Sequence, residues 1–271
     1  MDTRVFLGTP ETAWLAALDV PGYVADLDLP EWAADLEVPL FVSHHRLAAR
    51  RRLPAASRPW ALDSAAYTEL KLHGCFTTGA RAYADAVIRY RDHIGLLEFA
   101  VPQDWPTDPA SLARTGRSVA DHLDRTVDSY LRLHETLGDL VIPVLQGAVI
   151  PDDYLRCRDR YERAGVDVTS TRLVGVGSIC GIPDTAAADL AAALHANGIR
   201  RMHGFGVKRG AARPALAGRF ASIDTQSWSL RARFSRPLPG CRHTRCSNCP
   251  RAAVAWYVGL VGQLRAPRER Q

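Results

Sequence analysis

No stretch of eighteen apolar residues occurs in this 271-residue sequence, which argues against a membrane-spanning helix. The opening MDTRVFLGTPETAW lacks a basic flank followed by an apolar run and a small-residue cleavage site, so no secretory leader is expected. The chain also lacks the cysteine pattern of a secreted disulfide framework. Cys75, Cys157 and Cys180 stand singly, and the other three cysteines crowd between 241 and 249. A soluble, cytoplasmic protein is the expectation. No glycine-rich phosphate fingerprint follows the first apolar segment, which disfavours a dinucleotide-binding sheet. Internal repeats and low-complexity segments are absent as well.

Acidic residues are scarce toward the end of the chain. Residues 1–199 carry 19 Lys and Arg against 27 Asp and Glu, a balance of −8, whereas residues 200–271 carry 15 against 2, a balance of +13. The overall charge of +5 hides this split. A concentrated positive end is the electrostatic footprint of a polyanion site, because neutralising phosphates releases counterions. A solvated basic tail is the plain alternative for Arg265–Arg270. The other arginines interleave with Trp228, Phe234 and the cysteine cluster, which favours nucleic acid.

A hydrophobic content of 47% is enough for a substantial core, and the length suits a single α/β barrel of about 250 residues. Eight short apolar segments read as strands: Arg4–Gly8, Pro39–Ser43, Pro59–Asp63, Leu96–Val101, Val141–Gln146, Arg172–Gly177, Arg201–Val207 and Arg219–Asp224. Helical periodicity covers Ala80–His93, Leu112–Leu137, Asp152–Ala164, Thr185–Asn197 and Ala252–Leu264. Pro151 suits a helix start, and Gly165 and Gly198 suit helix ends. Eight strands alternating with helices or loops predict an α/β fold, a (β/α)8 TIM-like barrel, with an open doubly wound sheet as the competitor.

In such barrels the reacting groups sit at the C-terminal ends of strands. Asp63, Asp104, Gln146 with Gly147, Gly177 with Ser178, Lys208 and Asp224 all fall at those ends. Asp63 and Asp224 would then converge on one mouth, as a nucleophile and a general acid/base require, and a carboxylate nucleophile suits attack at an anomeric carbon. Each has a plainer reading: Asp63-Ser64 as a helix cap, Gln146-Gly147 as a turn, His203 as a satisfied core histidine. At 241–249 the spacing C-x-H-x2-C-x2-C lets Cys241, His243, Cys246 and Cys249 close a tetrahedral zinc shell. A closed shell leaves no place for water, so such a metal is structural; unmetallated loop cysteines are the alternative.

The ordered motifs LDSAAYTEL (62–70), VPQDW (101–105), PVLQG (143–147), VGVGSICG (174–181), HGFGVK (203–208), SIDTQSWSLRAR (222–233) and CRHTRCSNC (241–249) resemble the tRNA-guanine transglycosylase superfamily. The chain is most similar to the shorter relatives, often encoded by bacteriophages, that insert 7-deazaguanine bases into DNA. The resemblance implies one transglycosylase-like TIM barrel over residues 1–271 with a zinc-binding insertion at 236–256. It implies Asp224 as nucleophile, Asp63 as general base, and Asp104, Gln146, Gly147, Gly177 and Ser178 as the base pocket. Lys208, Arg231 and Arg233 would face phosphates, and Cys241, His243, Cys246 and Cys249 would hold structural Zn2+.

The chain departs from the family pattern in two places. Ala65 and Ala66 replace the glycines of the DSGG-type motif, and His243 stands where the family has a second cysteine. Tyr67, Phe205 and Trp105 are candidates to stack on a base, with core packing as the plainer role of each. The implied reaction replaces guanine in DNA with a preQ0-like base, and no redox or nucleotide cofactor is needed. The tRNA enzymes are longer, which favours DNA over tRNA as the partner. For a phage-encoded enzyme the compartment would be the host cytoplasm. A non-catalytic, zinc-stabilised nucleic-acid-binding barrel and an N-glycosidase using water are the alternatives from other classes.

Overall fold

The computed structural model describes residues 3–148, 150–207 and 218–265. Eight strands, β1 (Arg4–Thr9), β2 (Leu40–Ser43), β3 (Trp60–Asp63), β4 (Leu97–Ala100), β5 (Val144–Leu145), β6 (Val174–Val176), β7 (Met202–Gly204) and β8 (Ser222–Thr225), form one sheet in the order β4-β3-β2-β1-β8-β7-β6-β5. Every ladder is parallel. The end strands meet through a parallel bridge between Ala100 and Val141, reinforced by Ile142 N–H donating to the Ala100 carbonyl at 3.2 Å. The sheet therefore curls round into an α/β, TIM-like barrel.

The helices between the strands are α1 (Val20–Asp26), α2 (His44–Leu47), α3 (Ala66–His73), α4 (Ala80–Ile94), α5 (Pro109–Thr115), α6 (Val119–Leu137), α7 (Pro151–Arg163) and α8 (Asp184–Ala196), and α9 (Ser227–Ala232) and α10 (Pro250–Arg265) follow β8. Among the described residues no helix is long and apolar enough to cross a membrane.

Parallel strands covered on both faces should be apolar on both faces, and they are. In β1, Phe6 points into the barrel, where it packs with Phe41, Ala61, Phe99, Ile142 and Val144. Val5 and Leu7 point outward into the larger core between strands and helices. The interior rings meet edge to face, Phe6 and Phe99 at 5.4 Å between centroids, the geometry that suits aromatic quadrupoles. The far C-terminal helix closes the outside of β1: the Tyr257 hydroxyl of α10 donates to the Val5 and Glu37 carbonyls at 3.1 and 3.2 Å.

All eight expected strands exist, most of them shorter than the apolar runs that announce them. β4 starts after Leu96 because Gly95 and Leu96 both adopt positive φ (74° and 52°), which no strand ladder accommodates. The expected helix Leu112–Leu137 is two helices. Gly116 at φ 64° ends α5, and Ser118 opens α6 with a reciprocal capping box to Asp121. α5 buries only Ser111, whereas α6 buries a stripe that includes Leu123, Val127, Tyr130, Leu133 and Leu137. Pro151 sits in the first turn of α7, and Gly165 and Gly198, both at positive φ, follow the ends of α7 and α8.

Candidate active site and metal centre

The C-terminal ends of the strands surround a cleft of about 590 Å³. Asp63, Asp104, Gln146, Gly177, Ser178 and Asp224, separated by up to 161 positions in sequence, all border it. Burial, and then the charge of a neighbouring carboxylate, raises the proton affinity of Asp63 and Asp104.

Asp63 ends β3, in register with Ser43 of β2, whose hydroxyl donates to it. Its pKa is pushed up to about 6, mainly by burial and then by the charge of Asp224, against the hydrogen bonds from the Ala65 backbone and Ser43. Neither Asp63 nor Ser64 caps α3, whose N-cap is Ala65 without any side-chain bond. Ala65 instead takes a left-handed conformation (φ 67°, ψ 22°), the kind of conformation a glycine accepts freely.

Asp104 is buried below the cleft, 5% exposed. Gln146 Nε2 donates to its Oδ2 at 2.5 Å and Ser64 Oγ to its Oδ1 at 3.4 Å. Burial, then the charge of Asp63, raises its pKa to about 7 despite those bonds. Gln146 is itself held: its Oε1 accepts from Ser178 Oγ at 2.7 Å, and Ser178 Oγ accepts from the Thr107 backbone N–H at 2.8 Å. The amide is thereby oriented, with one N–H on Asp104 and the second left for the cleft. Ser178, at φ 56°, thus borders the cleft and supports Gln146 through its side chain.

The two glycines of the base-pocket expectation make room for neighbours. A Cβ on Gly177 would lie 2.2 Å from Gln146 Nε2, so any side chain there displaces the amide. A Cβ on Gly147 would lie 2.4 Å from the Tyr154 ring, whose hydroxyl donates to the Gly177 carbonyl at 2.8 Å. Gly147 is buried behind the pocket and does not border the cleft, unlike its neighbour Gln146.

Asp224 lies on β8, 8% exposed, and its Oδ1 accepts from the Gly206 backbone N–H at 2.8 Å. Gly206 needs its positive φ of 63° to present that N–H. His203 stands behind the same oxygen, Nε2 to Oδ1 at 3.5 Å, with Nδ1 2.8 Å from Ser222 Oγ. The ring is fully buried among Phe6, Phe41, Phe99 and Phe205. Its position argues for the tautomer with the proton on Nε2, aimed at the carboxylate, while Nδ1 accepts from Ser222. A core histidine without this neighbour was all that the sequence offered. The signal that could have found it is its place directly opposite Ser222 in the β7–β8 pair, with Asp224 two residues further along the same strand face.

Around the rim, Phe205 is half-buried and faces the cleft, and Tyr67 is 51% exposed at its edge. Trp105 is core: it meets His122 and Phe76 edge to face, and Arg125 covers its ring. His45, which sequence reasoning passed over, borders the cleft with its Nε2 2.5 Å from Glu69 Oε1. Arg231 and Arg233 are exposed on and just after α9, which begins beyond the C-terminal end of β8. Lys208 lies outside the described residues.

Cys241, His243, Cys246 and Cys249 come together with their ligand atoms all within 4.8 Å of one another. A tetrahedral shell with Zn–S bonds of about 2.3 Å has edges of about 3.8 Å. Cys241 Sγ and Cys249 Sγ are 3.8 Å apart, and His243 Nε2 is 3.1 Å from Cys246 Sγ. The donor set and its span fit a metal such as zinc. The surroundings complete it: the Leu238 N–H points at Cys246 Sγ and Arg251 Nη1 at Cys241 Sγ, both at 3.4 Å, as donors to thiolates do. Arg251 also pairs with Asp26 of α1, and Ala232 of α9 packs on Cys246 and Cys249. The cluster therefore ties α9, α10 and α1 together, and none of its four residues borders the cleft.

No curated protein matches the chain. The sequence profile of one family, described as DeoxyPurine in DNA protein A (DpdA), matches residues 26–269, nearly the full length and the ends of all strands from β2 to β8. The chain belongs to the DpdA family, a DNA-guanine transglycosylase-like family related to the tRNA-guanine transglycosylases.

Proposed function

We propose that this protein exchanges guanine in DNA for a 7-deazaguanine base such as preQ0 through a covalent aspartyl-sugar intermediate. The observation that carries the reading is the meeting of Asp63, Asp104 and Asp224 at one cleft in a member of a DNA-modifying family. Asp224 Oδ1 is occupied by the Gly206 N–H and faced by His203, which leaves Oδ2 free to attack C1′ of the target guanosine. The C1′–O bond forms as the C1′–N9 bond breaks, and the departing purine takes a proton from Asp63. A 7-deazaguanine then enters, Asp63 removes its N9 proton, and N9 displaces Asp224 from C1′. A carboxyl whose pKa is about 6 is suited to both proton transfers near neutral pH.

Asp104 recognises the base. Once ionised, it accepts from N1–H and N2–H of the guanine edge, while the second N–H of Gln146 donates to O6. Phe205 offers a face to the ring. A base within a duplex cannot reach this pocket, so the target nucleotide enters flipped out of the stack. The residues that would hold zinc, Cys241, His243, Cys246 and Cys249, supply a brace and no reacting group. We read residues 1–271 as one transglycosylase-like barrel with this metal-binding insertion at 236–256.

The test is to incubate the protein with labelled 7-deazaguanine and either duplex DNA or tRNA. Label is expected in DNA, with release of one guanine per base incorporated, and a protein–DNA adduct should form that the Asp224→Asn variant does not give. Label in tRNA alone would overturn the choice of polymer. Guanine release without incorporation would point to hydrolysis instead.

A further inference from the structure

From Thr225 to Arg265 the chain contains seven arginines and no acidic residue. Arg251 pairs with Asp26, and Arg265 lies over the Trp32 ring. The other five, Arg231, Arg233, Arg236, Arg242 and Arg245, are exposed, and among the described residues none forms an ion pair or a side-chain hydrogen bond. Into this field the chain places two large apolar side chains. Phe234 is 85% exposed, the most exposed large hydrophobic residue among those described, and Leu230, one helical turn earlier, is 55% exposed. Water is an unfavourable place for both, and no apolar neighbour covers Phe234.

This ridge is rigidly mounted. Trp228 at the start of α9 is buried, and its indole N–H donates to the Gly8 carbonyl at 2.8 Å. Ala232 packs on the metal-site cysteines. Beyond the helix, the Phe234 N–H donates to the Arg231 carbonyl at 3.0 Å, and Ser235 Oγ donates to the same oxygen at 3.0 Å. Phe234 therefore stands at a fixed point just past α9, about 13 Å at helical rise from the end of the strand that carries Asp224. A nucleotide turned out of a duplex leaves a gap in the stack, and proteins that open such gaps insert apolar side chains from a cationic surface.

We propose that Phe234, backed by Leu230 and flanked by Arg231, Arg233 and Arg236, is the wedge that enters the base stack of duplex DNA beside the target guanosine. The arginines seat the flanking phosphates, and the ring holds the gap while the nucleotide occupies the cleft. This rests on the DNA base-exchange reading, and it adds the residue that makes paired DNA a substrate.

The experiment compares the wild type with Phe234→Ala and Phe234→Trp on a matched duplex and on the same target strand alone. A 2-aminopurine placed next to the target guanine reports unstacking on binding, before any chemistry. Phe234→Ala is expected to lose the fluorescence rise and to slow exchange on the duplex by about tenfold or more relative to its own rate on the single strand. Phe234→Trp should restore both. Because the ring is exposed, the melting temperature should match the wild type.

Equal losses on both substrates, or none on either, would overturn the wedge. A wild-type protein that raises the fluorescence through Phe234 yet transfers no labelled base would leave the wedge standing and sink the exchange reaction. One that incorporates the base while Phe234→Ala opens and modifies the duplex normally would do the reverse.

Discussion

The mouth of the barrel and the ridge beyond it use charge in opposite ways. At the mouth, three carboxylates are held in or near the protein interior, bonded to Gly206, Gln146, Ser64, Ser43 and the Ala65 backbone, and two of them titrate well above the usual carboxylate range. On the ridge, five arginines stand in water with no protein partner among the described residues. In the proposed reaction the charge that makes and breaks bonds is buried, and Asp63 and Asp104 among these carboxylates answer to proton concentration. Charge that gathers a polyanion is exposed and independent, so salt governs it. The two regions should therefore respond to different variables, and each prediction below separates them.

The largest separation should come from removing the metal. Purified protein is expected to carry one zinc per chain, measurable by elemental analysis. Stripping it with a chelator, or replacing Cys246 by Ser, should abolish duplex binding by releasing α9 from Cys246 and Cys249. Binding of the free 7-deazaguanine base should persist, because no metal ligand borders the cleft. Loss of both together would erase the distinction.

Next in size is the arginine pair. Replacing Arg231 and Arg233 by Ala should lower DNA affinity by roughly tenfold or more at 0.15 M salt and reduce the log–log salt slope by about 1.8. Affinity for the free base should not change. An unaltered slope would show that these two side chains meet no phosphate.

The reverse case is pH. Burial and the neighbouring Asp63 charge hold Asp104 at about 7, so in the empty cleft it is protonated below that value. It must ionise to accept from N1–H and N2–H. Base affinity should thus weaken by about tenfold per pH unit below 7 and level off above it, read by calorimetry from pH 5.5 to 8.5. A flat profile would remove Asp104 from the recognition of those donors.

The smallest effect is on stability. Asp104 has a folded-state pKa above its unfolded value, so the folded protein binds more protons between about pH 4 and pH 7. That contribution is lost as pH rises through this window, and above it the buried charge destabilises the fold. Asp104→Asn should therefore raise the melting temperature by a few degrees at pH 8, on the order of 2 kcal/mol, and leave it unchanged at pH 4.

The barrel was legible because most strands are apolar runs that give way to polar residues within a few positions, and that change is also where the cleft lies. Asp63, Asp104, Gln146 and Asp224 could be ordered around a mouth from this rule alone. The break at Gly116 was hidden because α5 is short and buries only Ser111, so the strong apolar stripe of α6 dominates the pattern of the whole stretch. Gly147 was drawn toward the pocket by its neighbour Gln146, whereas its lack of a side chain serves the Tyr154 ring. His203 and Phe234 escaped for opposite reasons. One is defined by what lies 3.5 Å away across a strand pair, the other by having no covering neighbour, and neither property is written in local sequence.

Ala65 carries a consequence of its own. Alanine at φ 67° is less stable than glycine would be there by about 1 kcal/mol, and this is the residue whose N–H contacts Asp63. A glycine would relax the backbone and also let that N–H wander between turnovers. With alanine the conformation is one the residue itself disfavours, so the surrounding structure must hold the loop in the orientation that meets Asp63. In the proposed exchange the cost of that arrangement would be met once, when the chain folds, and not again at each encounter with a sugar.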